Sequence, residues 1–147
     1  MDEYYEDLTV GESRSFGHYE VTEEEIVEFA EQYDPQPFHV DPEAARKSMF
    51  GGLAAGGWHP AAMTMRMFVD NYLVDSGALG SPGLDSLRWT SPVRPGDTLS
   101  VEATIADKEP WGDTRGVAYM DTETRTSDGE TVMTMTSLVL YPRRQSG

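Results

Sequence analysis

Asp34-Pro35-Gln36-Pro37-Phe38-His39 opens the stretch on which the reading of this chain turns. The stretch continues through Asp41-Pro42, Gly51-Gly52, Gly56-Gly57 and Trp58-His59-Pro60 into a methionine-rich apolar run that ends near Tyr72. An acid and a histidine stand five positions apart with two prolines between them. Proline fixes its own φ and disfavours helical geometry in the residue before it, so Asp34 to Val40 is expected to be a stiffened loop that aims its side chains. A glycine pair follows where a buried helix should begin. This order predicts an acid–histidine pair that handles a water molecule, facing the amide-rich end of that helix.

Working towards the N-terminus, Thr22-Glu23-Glu24-Glu25 has the form of a capping box, with Thr22 on the free amides and Glu25 reaching back. Ile26, Phe29, Ala30 and Tyr33 follow at the spacing of one helical face, and the helix must stop at Asp34 before Pro35. Ser13 to Val21 reads as a short strand after a turn at Gly11. Working the other way, Asp41-Pro42 restarts a helix as N-cap and first-turn proline, carrying Ala44, Ala45 and Met49 until Gly51-Gly52 ends it. The next helix is expected from Gly57–Pro60 to about Val74. Ala61, Ala62, Met63, Met65, Met67, Phe68, Val69, Tyr72 and Leu73 leave little of it polar, which predicts a long, central, largely buried helix with methionine as core filler.

Beyond a loop at Asp75 to Gly83 the apolar period changes to two. Asp85 to Trp89 reads as a strand and Arg94 to Asp97 as a turn. Leu99, Val101, Ala103 and Ile105 alternate with polar neighbours, the pattern of a strand with one buried face. Arg115 to Thr126 and Thr131 to Tyr141 are two more strands, joined through Ser127-Asp128-Gly129. The expected fold class is α+β, a single domain over residues 1–147 in which an antiparallel sheet packs one face on the buried helix.

Composition sets outer bounds. With 147 residues, 38% hydrophobic and 10% aromatic, the chain is long and apolar enough for one core. It has no cysteine, which removes disulfides, thiolate metal sites and a cysteine nucleophile. There is no apolar run of membrane-spanning length, and the acidic segment Met1 to Asp7 lacks the basic and apolar regions of a secretory leader, so the expected location is the cytoplasm. The 26 acids against 11 bases give a formal charge of −15, which repels nucleic acid and anionic membranes alike. No P-loop, Gly-x-Ser-x-Gly or dinucleotide fingerprint is present, and His39 with Asp34 and Asp41 lacks a recognisable metal-ligand spacing.

With these residues in view, the chain resembles the MaoC-like dehydratases, the hydratase 2 or R-specific enoyl-CoA hydratase group. That family's motif reads roughly Gly-Asp-x-Asn-Pro-aliphatic-His-x-Asp, and Asp34, Pro37, His39 and Asp41 match it in place. Phe50-Gly51-Gly52, the glycine-rich helix start and Pro92 to Asp97 match as well. The departures are Tyr33 for the glycine before the acid, Gln36 for asparagine, and Gly56-Gly57 where many members have His-Gly.

The resemblance implies a hot-dog fold, a sheet wrapped around a long central helix, in at least a homodimer. It implies hydration or dehydration of a trans-2-enoyl thioester, with a coenzyme A thioester as substrate and no cofactor. Asp34 and His39 would share the acid and base roles, and the Gly57 amide would bind the thioester oxygen. Gly56, Trp58, His59 and Phe38 are the expected substrate contacts; for His59 a helix-end packing role competes, and Asp41 reads as an N-cap. A hot-dog thioesterase and a non-catalytic acyl-thioester-binding subunit remain open. Arg46, Lys47, Arg66, Arg88 and Arg94 are the cations available to substrate phosphates, none of them distinguished by its sequence context.

The acidic surface also predicts a protein adapted to high salt, because added ions screen its self-repulsion. The melting temperature is therefore expected to rise as potassium chloride is raised towards molar concentration. A melting temperature that stays level or falls in a calorimetric salt series refutes this.

Overall fold

The computed structural model describes residues 2–144. Five strands and four helices follow the chain as β1 (Ser13–Glu20), α1 (Glu23–Tyr33), α2 (Pro37–Val40), α3 (Pro42–Arg46), α4 (Trp58–Asn71), β2 (Gly80–Trp89), β3 (Thr98–Trp111), β4 (Arg115–Thr126) and β5 (Thr131–Pro142). The strands form one antiparallel sheet in the order β1-β3-β4-β5-β2. β3, β4 and β5 are its centre, and each alternates enclosed with more exposed positions over much of its length, so one face is buried along all three. Leu99, Val101, Ala103 and Ile105 lie opposite Thr126, Thr124, Thr122 and Met120. Those in turn adjoin Met133, Met135 and Ser137 of β5. Met63, Met67 and Phe68 of α4 complete the core against this face.

This is the α+β arrangement expected, an antiparallel sheet folded over one helix, with several differences of extent. α4 has 14 residues and is buried on one side only, rather than long and largely buried. Met63, Thr64, Met67 and Phe68 form its inward stripe. Trp58, Met65 and Val69 face outward, exposed by 63%, 49% and 38%. Leu73–Asp75 is a separate 3₁₀ turn. α3 stops at Arg46, leaving Met49 outside it and 93% exposed.

The expected loop from Asp34 to Val40 contains one helical turn, α2, with Pro37 in its first turn, where proline's fixed φ suits a helix and its missing N–H costs nothing. β2 begins at Gly80, inside the expected loop. It is an edge strand whose register against β5 shifts twice, so it carries no alternation to read. Thr22 caps α1 by accepting from the Glu25 N–H at 3.2 Å, but the Glu25 carboxylate does not close the capping box. It accepts instead from Tyr19 and lies beside His59.

The buried sheet face carries threonines as well as aliphatics. Thr122 and Thr124 are almost fully enclosed, and Thr64 of α4 meets Thr124 hydroxyl to hydroxyl at 2.7 Å. The two hydroxyls satisfy one another in a region that gives neither of them water. Thr64→Val or Thr124→Val alone is therefore expected to destabilise by about 1–3 kcal/mol, because the surviving hydroxyl is left unpaired. The double variant should lie close to wild type. Urea midpoints around this cycle test it, and additive losses would show that the two hydroxyls are not coupled.

Candidate active site

Asp34 leaves α1 as its C-cap. Its N–H donates to the Ala30 carbonyl at 2.7 Å, and its backbone then leaves helical geometry at φ −155° and ψ 65°, as a residue before proline tends to do. The chain bends at once, Gln36 N–H donating to the Asp34 carbonyl at 2.8 Å. The Gln36 side-chain amide also donates to Asp34 Oδ1, which turns Oδ2 towards α2. There it lies 3.5 Å from His39 Nε2. The other ring nitrogen, Nδ1, sits 2.7 Å from the Ala54 carbonyl oxygen. A carbonyl can only accept, so Nδ1 donates to it, and in the neutral ring that tautomer leaves Nε2 as an acceptor next to the carboxylate. Two acceptors that face one another without a proton between them suit a molecule that donates to both, and water is the smallest. The His39 side chain is 7% exposed and Asp34 24%, so the imidazole is enclosed and the carboxylate half-buried.

The chain that closes the pocket has glycine where it touches the pair. A Cβ on Gly56 would stand 2.6 Å from Asp34 Oδ2 and 3.5 Å from His39 Nε2. A Cβ on Gly57 would stand 2.6 Å from the Trp89 ring. A side chain at residue 56 would displace the Asp34 carboxylate and one at residue 57 the Trp89 ring, so glycine lets the start of α4 approach this closely without disturbing either. Gly57 is the N-cap of α4. The His59 N–H donates to the Gly56 carbonyl, whereas the Gly57 N–H has no acceptor among the described residues. A cavity of about 360 Å³ lies against His39 and Gly57, with Phe50, Trp89, Thr90 and Ser91 also among its walls, while Asp34 and Gly56 stand behind His39 and do not line it.

Of the residues expected to touch substrate, Gly56 contacts the acid–histidine pair and Gly57 opens on the cavity. Phe38 packs edge-on against His39, ring centroids 4.6 Å apart, and lines no part of the cavity. Trp58 stands edge to face on Trp89 at 5.5 Å and borders a second, apolar cavity of about 450 Å³. That cavity lies between α4 and strands β2 and β5, with Met65, Phe68, Leu84 and Met135 in its walls. The two tryptophans thus stand between the two cavities.

His59 is brought elsewhere: it is buried, stacked on Phe29 and turned to Glu25. Asp41 is the N-cap of α3, accepting from the Glu43 N–H at 3.0 Å. Among the cations, Arg46 pairs with Glu43 and Arg66 with Asp70, and the Arg94 guanidinium donates to the carbonyls of Phe50 and Leu53. Sequence reasoning missed the Ala54 carbonyl, which no side-chain pattern announces. It also missed Trp89, Thr90 and Ser91, whose position beside Pro92 gave only a strand end. Among the described residues, no helix is long and apolar enough to cross a membrane.

The model of the MaoC like domain matches residues 7–126. The chain belongs to that family. A MaoC-like dehydratase of known structure from Rhodospirillum rubrum is 41% identical, with a TM-score of 0.88 over 97% of this chain and 99% of that one. The R-hydratase PhaJ1 from Pseudomonas aeruginosa shares the fold at 23% identity, with a TM-score of 0.71 over 97% of this chain and 88% of its own. The Bacillus subtilis protein YdeM is 25% identical over 131 residues, 85% of this chain and 93% of its own. This MaoC-like domain therefore has the hot-dog fold of these neighbours, built here on a short central helix of 14 residues.

His59 gives the site a measurable acid sensitivity. Burial disfavours its charged form and holds its pKa below the ordinary histidine value, and the Glu25 carboxylate only partly offsets this. Above pH 6.5 the ring is neutral folded and unfolded, and its contribution to stability is level. As pH falls below 6.5 the unfolded chain takes up the proton first, so stability declines until the lower folded pKa is reached. His59→Phe should flatten that decline. Urea midpoints of both proteins between pH 7.5 and 5 provide the check, and parallel curves would contradict the assignment.

Proposed function

We propose that this MaoC-like domain adds water to, or removes it from, a trans-2-enoyl thioester, with Asp34 and His39 handling the water and Gly57 holding the thioester oxygen. The observation that carries this reading is the 3.5 Å approach of Asp34 Oδ2 to His39 Nε2, beside a cavity that also receives the unpaired Gly57 amide. In the hydration direction, a water donates one O–H to each acceptor. His39 Nε2 takes one proton while the oxygen bonds to the β carbon, and the double-bond electrons move towards the thioester carbonyl. The Gly57 N–H, at the positive end of α4, stabilises the enolate oxygen that forms.

The imidazolium, steadied by Asp34, then returns its proton to the α carbon, and a 3-hydroxyacyl thioester leaves. Atoms balance with one water and no cofactor. The names of the Rhodospirillum and Pseudomonas relatives, a dehydratase and a hydratase, support the same class.

The apolar cavity beyond Trp58 and Trp89 offers room for an acyl chain, and a coenzyme A carrier is the simplest thioester to assay. A homodimer is part of the proposal. β2 is an exposed edge strand, and unpaired edges of this kind recruit a second chain. Trp58, Met65 and Leu84 add exposed apolar area beside it.

Asp34→Asn and His39→Ala are each expected to lower crotonyl-CoA hydration by roughly 10²–10⁴-fold, the usual worth of a positioned acid or base. Gly57→Ala should cost on the order of 10²–10³-fold by misplacing the oxyanion donor. Loss of absorbance at the enoyl chromophore measures all three. Unchanged rates in both the Asp34 and His39 variants would remove the pair from the chemistry. Release of free thiol in place of 3-hydroxyacyl product would make the domain a thioesterase.

A further inference from the structure

His59 has a polar ring where simple packing calls for an apolar one. It is 2% exposed, in the first turn of α4, two residues after Gly57. Its ring lies flat on Phe29, centroids 4.2 Å apart and planes within 4°. Its Nε2 is 3.1 Å from Glu25 Oε1, and the same oxygen accepts from the Tyr19 hydroxyl. Its Nδ1 is buried with no hydrogen-bond partner, a cost that a phenylalanine in the same space would avoid. Glu25 likewise leaves its own capping box unclosed in order to reach this ring. Both sequence features are therefore spent on one contact rather than on local stability.

That contact joins the two halves of the site. Glu25 and Phe29 belong to α1, the helix whose C-cap is Asp34. His59 belongs to α4, whose N-cap is Gly57, and its N–H donates to the Gly56 carbonyl at 2.9 Å. We propose that Tyr19, Glu25 and His59 form a brace that fixes α1 against the start of α4, making Glu25 and His59 positioning residues for the chemistry at Asp34, His39 and Gly57. The spacing they set has no slack, because the space a Cβ would need at Gly56 is already filled by Asp34 Oδ2. A slip of α4 towards α1 is blocked there, and a slip away draws the Gly57 amide from the water held by Asp34 and His39. Catalytic groups must keep their geometry to about half an ångström, so a loose helix start would be felt in turnover.

The kinetic arm of the test rests on the hydration reading, and a spectroscopic arm does not. The full chain is compared with Glu25→Ala, Glu25→Gln, His59→Phe and Thr22→Ala, the last removing the α1 cap on the Glu25 backbone N–H while leaving the three brace side chains in place. Glu25→Ala and His59→Phe are expected to lower kcat on crotonyl-CoA roughly 10–100-fold while KM stays within about twofold. Glu25→Gln should restore kcat, since its amide oxygen still accepts from Tyr19 and His59. Thr22→Ala should lower the melting temperature and leave kcat in place.

In ¹⁵N-labelled protein, the Gly57 amide and the His39 ring resonances should move in Glu25→Ala, and hold in Glu25→Gln and Thr22→Ala. If Glu25→Ala does not fold, His59→Phe and Glu25→Gln carry the comparison. Wild-type kcat in both brace-breaking variants, or unmoved resonances in Glu25→Ala, overturns the brace, as does an equal loss of kcat in Thr22→Ala. Wild-type protein inert on every enoyl-CoA would instead overturn the hydration reading, and the resonances alone would then decide the brace.

Discussion

Everything in the candidate site depends on a backbone approaching a carboxylate more closely than any side chain permits. Gly56 lies against Asp34 Oδ2 and His39, and Gly57 lies under the Trp89 ring. A methyl group at either position would displace the carboxylate or the ring. The reward for this contact is that the first free amide of α4 opens on the same cavity as the imidazole. A helix start is a natural place for a developing negative charge, but only where its N–H groups remain unsatisfied and within reach. Removing the side chains from residues 56 and 57 provides the reach, and the turn geometry provides the free N–H.

The histidine is oriented by equally simple means. One carbonyl, from Ala54, fixes its tautomer, and the rings of Phe38 and Phe50 hold its plane. The acid is oriented by Gln36, two residues away on the same bend. Gln36 is a departure from the family motif, yet its longer side chain still reaches Asp34 Oδ1. The substitution therefore preserves a donor to the acid. Tyr33, the other departure in this bend, points to solvent and is 72% exposed.

The sheet and most helix ends were legible because they rest on local rules. Period-two alternation in β3 admits one structural answer and Pro35 ends α1 at Tyr33, whereas Pro37 blocks nothing and opens the turn of α2. Asp34 and His39 were legible as a pair because a stiff seven-residue bend leaves them few relative positions. What sequence could not supply was tertiary choice. Glu25 satisfies the rule for a capping box and is drawn off by Tyr19 and His59 from other elements. The apolar count of α4 suggested burial all round, yet Trp58, Met65 and Val69 face outward, since apolar composition does not say how many faces have a partner. β2 was shortened because an edge strand with shifted register shows no alternation.

A charge of −15 opposes the approach of the anionic thioester carrier proposed as substrate. The geometry suggests why the chemistry tolerates it. The groups proposed for the reacting atoms are an uncharged amide, an imidazole and a single carboxylate, and Arg94 is held by backbone carbonyls nearby. Short contacts of this kind act across less than the roughly 8 Å screening length of physiological salt, whereas the repulsion of the whole surface acts beyond it. Added salt therefore weakens what opposes substrate approach and leaves what holds the reacting atoms nearly untouched. An acidic surface and an acid–histidine site are compatible because they work at different distances.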